Sequence, residues 1–199
     1  MLNNYITKEE INQLPIGQFE GEVVVINKLT NVASAAKEIS QHEFVGFDTE
    51  TKPSFQKGKI NHVSLVQFAV PGKAFLFRVK KFGLTDPLVD LFMNPGIKKI
   101  GLALRDDVKD LQRLKPFNPE GFVELSEITK ELGIVNAGAR GLAGLLLDIR
   151  ISKAQQTSNW ENAVLTKKQI KYAATDAWVC LEIYRKLLLK GYLRGNAPA

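Results

Sequence analysis

Three short stretches of this chain carry side chains able to do chemistry. The first is Phe44-Val45-Gly46-Phe47-Asp48-Thr49-Glu50. Asp48 and Glu50 stand two apart at the end of an apolar run. Alternate residues of a strand point to one face, so the two carboxylates project together. For a lone acidic pair, a strand that ends at the surface, where polar residues simply meet water, is the more ordinary reading. The second stretch runs from Lys99 to Leu111, where an apolar strand gives way to a helix near Asp106 or Asp107. The helix dipole favours an acid at that end, which explains one of the two without explaining both. The third is Tyr172-Ala173-Ala174-Thr175-Asp176. Tyr172 and Asp176 lie four apart on one helix face, and the small residues between them leave room for another element or a ligand. An amphipathic helix with a half-exposed tyrosine has the same pattern.

The combination implies more than its parts. If Asp48, Glu50, Asp107 and Asp176 converge, each like-charged pair at about 4 Å repels by roughly 4 kcal/mol at an effective dielectric of 20. Protons or cations must offset that. Ligands that are all oxygen suit hard cations such as Mg²⁺ or Mn²⁺. Two such ions can hold the attacking and leaving oxygens of a phosphodiester. Spacing alone leaves the convergence open.

Positioning these residues requires strands before the middle of the chain and helices after it. Thr7-Lys8-Glu9-Glu10 has the form of a capping box for a short helix ending before Pro15. Residues 22–26 and 43–49 read as strands, with a helix over 30–40 between them. Residues 62–70 and 73–79 form an apolar pair around Pro71-Gly72, the mark of a hairpin. A helix over 84–93, a buried strand over 98–103 and a helix over 106–114 follow. Short helices are expected over 123–132 and 141–147. Thr166 opens a final long helix reaching about residue 190 and ended by Gly191. The order implies an α/β layer fold around one mixed sheet, since a hairpin cannot belong to an all-parallel one. Residues 1–21 read as an N-terminal extension with a short helix, 22–192 as one catalytic domain, and 193–199 as a tail.

Composition narrows the chemistry. The chain has 199 residues, one cysteine (Cys180) and two histidines. An intramolecular disulfide and a cysteine-rich zinc site are excluded, and a histidine-built metal site is disfavoured. Trp178 and Cys180 read as core, and His42 and His62 as structural or exposed. The net charge of +6 and the pI near 9.3 favour a polyanionic partner. No signal peptide or membrane-spanning run is present, so no membrane association is expected and a cytoplasmic protein is.

The three stretches resemble the three motifs of the DEDD 3′–5′ exonucleases in their tyrosine-containing subtype. The nearest resemblance is to the exonuclease domain of the Werner-syndrome helicase and to ribonuclease D. Asp48-Thr49-Glu50 resembles the first motif. Gly101 through Asp107, with Leu111, resembles the second and selects Asp107 over Asp106. Tyr172 through Asp176 resembles the third. The sister subtype has a histidine five positions before the last aspartate, where this chain has Lys171. Segments around Gly58-Lys59-Ile60, Phe122-Val123-Glu124-Leu125 and Ser158-Asn159-Trp160 agree, so that residues 22–190 are covered.

The resemblance implies a ribonuclease H-like fold, a central mixed sheet flanked by helices. It implies two divalent cations, Mg²⁺ or Mn²⁺, held by Asp48, Glu50, Asp107 and Asp176, with Tyr172 orienting the attacking water. Nucleoside 5′-monophosphates would leave the 3′ end of a nucleic acid, DNA before RNA. Thr49 would lie beside the terminal nucleotide. Phe55 and Trp160 are candidates for stacking on bases, and Lys52, Lys57, Arg105, Lys167 and Lys168 for phosphate contacts. A solvated surface is the more ordinary role for each of those lysines, and core packing for Trp160. The rival readings are RNA 3′-end trimming of the ribonuclease D kind, a non-catalytic nucleic-acid-binding module, and an unrelated α/β domain. The helicase and HRDC-like regions of the two named relatives have no counterpart in this sequence, so a nuclease domain that stands alone or recruits partners is expected, with its substrate left open.

Overall fold

The computed structural model describes residues 4–193 except residues 55, 57, 59 and 137. The eight residues of Val63–Val70 are all buried, and that burial on both faces marks them as a central strand. This strand, β3, is flanked by β2 (Phe44–Thr51) and β4 (Lys73–Phe77), both antiparallel to it. Pro71-Gly72 makes the turn into β4 as expected, with Gly72 at φ +75°, a conformation that disfavours any side chain. Strand β1 (Glu22–Ile26) adds parallel to β4. Strands β5 (Lys98–Gly101) and β6 (Phe122–Glu124) extend the other side in parallel. The sheet is therefore mixed and six-stranded, in the order β1-β4-β3-β2-β5-β6.

The helices are α1 (Lys8–Gln13), α2 (Val32–Ile39), α3 (Val79–Phe82), α4 (Asp86–Met93), α5 (Leu104–Leu114), α6 (Leu125–Glu131), α7 (Ala139–Leu147) and α8 (Lys167–Leu189). Both α1 and α8 start in capping boxes, Thr7 with Glu10 and Thr166 with Gln169. Each satisfies two backbone donors that would otherwise face water. No described helix is long and apolar enough to cross a membrane.

Three expectations need correction. Residues 123–132 are not one helix: Phe122–Glu124 pairs with β5 as an edge strand before α6 begins. Three half-buried residues are too few for an alternating pattern to show. Residue 79 does not continue β4 but opens the one-turn helix α3. The helix expected from residue 106 begins at Leu104, because Ala103 takes a left-handed conformation (φ 58°) that turns the chain straight out of β5.

One side of the sheet is covered by α2, α4 and α5 over a core rich in phenylalanine. Helix α8 lies across the other side, touching β2, β3, β4 and β5. The segment before β1 packs on the same body. Phe19 is buried, its N–H donating to Thr175 Oγ1 at 3.0 Å. Lys171 Nζ donates to the Phe19 carbonyl at 2.7 Å.

Candidate active site

Strand β2 sorts its residues by parity. Val45 and Phe47 point into the phenylalanine core, where Phe47 meets Phe68, Phe92 and Phe122 edge-on. Gly46, Asp48 and Glu50 face α8. At Gly46 the helix comes so close that a Cβ would lie 1.9 Å from the Ala177 carbonyl oxygen. Glycine is the residue that permits this approach, and it brings the Asp176 turn of α8 over Asp48 and Glu50.

The result is a carboxylate cluster. Oxygens of Asp48, Glu50 and Asp176 all lie within 4.8 Å of one another. Among the described residues, no lysine or arginine forms a salt bridge with any of them. Uncompensated charges at such separations repel by about 3–4 kcal/mol per pair at an effective dielectric of 20, and the proton equilibria reflect it. Burial, then the charges of Asp176 and Asp107, hold the Asp48 carboxyl well above the carboxylate range. Burial and the other acids push Glu50 to about 10. Burial raises Asp176 to about 7, although a hydrogen bond with Tyr172 and the charge of Lys153 pull it back. Buried acids without cations of their own are the donor set expected of a site for hard divalent ions.

Asp107 stands outside the three-residue cluster. It occupies the first turn of α5, reaching the site from the other side of the sheet. Its Oδ1 accepts a hydrogen bond from the Thr49 hydroxyl, the residue between the two β2 acids. Burial lifts Asp107 to about 6 against the effect of that bond. Its charge registers at both Asp48 and Glu50, so it belongs to the same electrostatic site. Glu124 at the end of β6 fixes the start of α5, because its Oε2 accepts from the Leu104 N–H at 2.8 Å. Its Oε1 caps α6 at Ser126 N, 3.0 Å away. In the sequence, Glu124 stands out only as part of a resembling segment, and nothing local marks this bracing role.

Tyr172 lies one turn before Asp176. Burial, followed by the charges of Asp176 and Glu50, drives its phenol further up from the ordinary tyrosine value. It is therefore a protonated hydroxyl at neutral pH, fit to orient a water by hydrogen bonding and unfit to act as a free base. Trp160 supports it from beneath, with ring centroids 6.0 Å apart. This corrects the candidate role of Trp160 as a stacking platform. The indole is fully buried, so neither of its faces is open to a base. The loop carrying it is held by Arg78, whose guanidinium donates to the Asn162 and Ala163 carbonyls. Gln169 Nε2 holds the same loop through the Asn159 carbonyl at 3.2 Å.

A cavity of about 160 Å³ opens over Asp48, Tyr172 and Asp176, with Lys153, Gln156 and Cys180 also on its walls. Cys180 is a buried free thiol packed in the core. Trp178 is half-buried against Phe19 rather than wholly internal. Beyond Tyr172 lies a larger cleft of about 440 Å³, bordered by Lys167, Lys168 and Lys171 on one side and residues 16–18 on the other. Lys167 and Lys168 are exposed along it, and Arg105 is exposed at the start of α5. Lys52 is engaged instead, paired with Glu161 at 3.5 Å. Phe55 and Lys57 lie outside the described residues.

Comparison with known proteins places this geometry. A protein-family model of the 3′–5′ exonuclease domain matches residues 23–191. The chain is 32% identical, over 88% of its length, to the mouse (Mus musculus) bifunctional 3′–5′ exonuclease/ATP-dependent helicase WRN, of which it spans 13%. Among solved structures, the Aedes aegypti Nibbler EXO domain superposes with a TM-score of 0.78 at 23% identity, covering 87% of this chain and 94% of that one. Escherichia coli RNase D, an exoribonuclease, superposes with a TM-score of 0.76 at 20% identity, covering 85% of this chain and 45% of that one. These last two likenesses establish the ribonuclease H-like exonuclease fold. With the family model matching most of its length and an acidic cluster at the expected motifs, the chain belongs to the 3′–5′ exonucleases, a family of metal-dependent hydrolases.

Proposed function

We propose that this chain removes nucleotides one at a time from the 3′ end of DNA, releasing nucleoside 5′-monophosphates, as a member of the tyrosine subtype. The observation that carries the reading is the trio of Asp48, Glu50 and Asp176, within 4.8 Å of one another and without a lysine or arginine partner among the described residues. Asp48, Glu50, Asp107 and Asp176 would hold two divalent cations, Mg²⁺ or Mn²⁺. When bound, these supply the charge that offsets the carboxylates and the Lewis acidity that phosphodiester hydrolysis needs. Tyr172 orients the attacking water through its protonated hydroxyl. Thr49 holds Asp107 in place and lies beside the terminal nucleotide. The exposed Lys167 and Lys168 meet phosphates of the strand as it leaves the pocket.

The assignment to DNA rests on the resemblance of the Ser158-Asn159-Trp160 segment to the Werner-type pattern. RNA trimming is the second reading, favoured by the likeness in fold to RNase D, an exoribonuclease. Incubation with 3′- and 5′-labelled DNA and RNA strands in Mg²⁺, in Mn²⁺ and in EDTA tests all of this together. The expected outcome is early release of the 3′ label as a mononucleotide, faster from DNA, and abolished by EDTA. Early release of the 5′ label, or cleavage that survives EDTA, would refute the reading.

A further inference from the structure

The cavity over the acids has a single cationic side chain among its described walls, Lys153. Lys153 also borders a neighbouring cavity of about 340 Å³ that runs between α1 and the start of α7, past Lys8 and Arg140. Lys153 therefore borders both the acid pocket and a basic groove. The preceding residue but one, Ile151, is buried and anchors the loop. The Lys153 carbonyl accepts from Gln156 N at 3.2 Å, closing a turn. Among the described residues, Lys153 forms no salt bridge with any carboxylate, although Asp176 is close enough to feel its charge. A lysine serving only to neutralise the acids would close an ion pair with one of them. This one is exposed at the rim, with its charge uncommitted.

The charge balance of the reaction says what such a group is for. Four carboxylates against two divalent cations sum to zero. A phosphodiester then brings one negative charge, and the transition state of its hydrolysis a second. Tyr172 is neutral and can offset neither. We propose that Lys153 contacts a non-bridging oxygen of the scissile phosphate and stabilises the charge that develops there. This rests on the nuclease reading above, and deepens it by giving the phosphate itself a protein ligand.

The test compares wild type, Lys153→Ala and Lys153→Arg on a 3′-labelled single strand. Single-turnover rates are measured at saturating enzyme in Mn²⁺, and strand affinity in Ca²⁺, where binding is read without cleavage. The proposal expects Lys153→Ala to lower the saturated rate by roughly 10²-fold, with arginine restoring part of it, while strand affinity changes by less than about threefold. The melting temperature and its rise on adding Mn²⁺ should match wild type in both variants. A weaker Kd with an unchanged saturated rate would make Lys153 a groove contact for the upstream strand and overturn the proposal. So would loss of the Mn²⁺-induced rise in melting temperature, which would assign Lys153 to upkeep of the metal site. An unchanged rate and affinity would remove any role. If wild type itself cleaves no strand in Mn²⁺, the nuclease reading fails first, and visibly so.

Discussion

The two sides of β2 are built on opposite rules. On one, Val45 and Phe47 are fully buried in an apolar core. On the other, Asp48 and Glu50 crowd against Asp176 with no lysine or arginine partner among the described residues. The first side gains free energy from dispersion and from water excluded around four phenylalanines. The second gives some up, because acids are crowded into a poorly solvated pocket where ionising them is costly. The strand shows how an apolar core and an acidic cluster coexist without a separate domain for each: the pleat alone keeps them apart, one residue to the next.

Substitutions on each side should therefore fail in different ways. Asp48→Ala or Asp176→Ala should lower kcat by at least about 10³-fold yet leave the metal-free melting temperature equal or higher, since a buried acid without a cationic partner is gone. A metal-free melting temperature that falls would mean the acids hold the fold together, and the contrast would collapse. Phe47→Ala should cost about 3–5 kcal/mol of stability in denaturant titrations, while the rate per folded molecule stays near wild type. A smaller loss, of about 10- to 100-fold in rate, is expected for Tyr172→Phe. Its pH–rate profile should keep the wild-type shape, because the phenol never titrates in the working range. A profile that changes shape would make the tyrosine a proton carrier instead.

The pH response sharpens the comparison further. Folded carboxyls raised to about 6 at Asp107, about 7 at Asp176 and about 10 at Glu50 keep protons that the unfolded chain has already released. The metal-free protein should thus lose stability as pH climbs from the ordinary carboxylate range through those values. Divalent ions bind the deprotonated acids, so added Mn²⁺ should raise the melting temperature more at pH 8 than at pH 5.5, by at least about 4 °C. An equal rise at both pH values would detach the carboxylates from the metal.

Much of this architecture is legible in the amino-acid sequence. Capping boxes, the Pro71-Gly72 turn and the helical spacing around Tyr172 are local signals, and they locate their elements within a residue or two. Asp48 and Glu50 can be paired because period two is a local rule. What escapes depends on distant partners. Strand β6 exists only because β5 offers it a ladder. The left-handed Ala103 has no sequence mark, since alanine gives no sign of a positive φ. As a residue type, Trp160 is as able to stack on a base as to fill a core, and only the α8–sheet packing decides. Lys153, between Ser152 and Ala154, carries no pattern at all. Its meaning comes from a cavity wall built by three other elements.

The hydrogen bonds that tie residue 19 to Lys171 and Thr175 straddle Tyr172 and end one residue short of Asp176. The leading segment is thus fastened like a guy rope to the very turn that bears Tyr172 and Asp176. Tension, cleavage or a bulky attachment on that segment would be transmitted to the geometry of the acidic cluster before it disturbed the sheet. An affinity tag placed there is not a neutral choice for anyone assaying this protein.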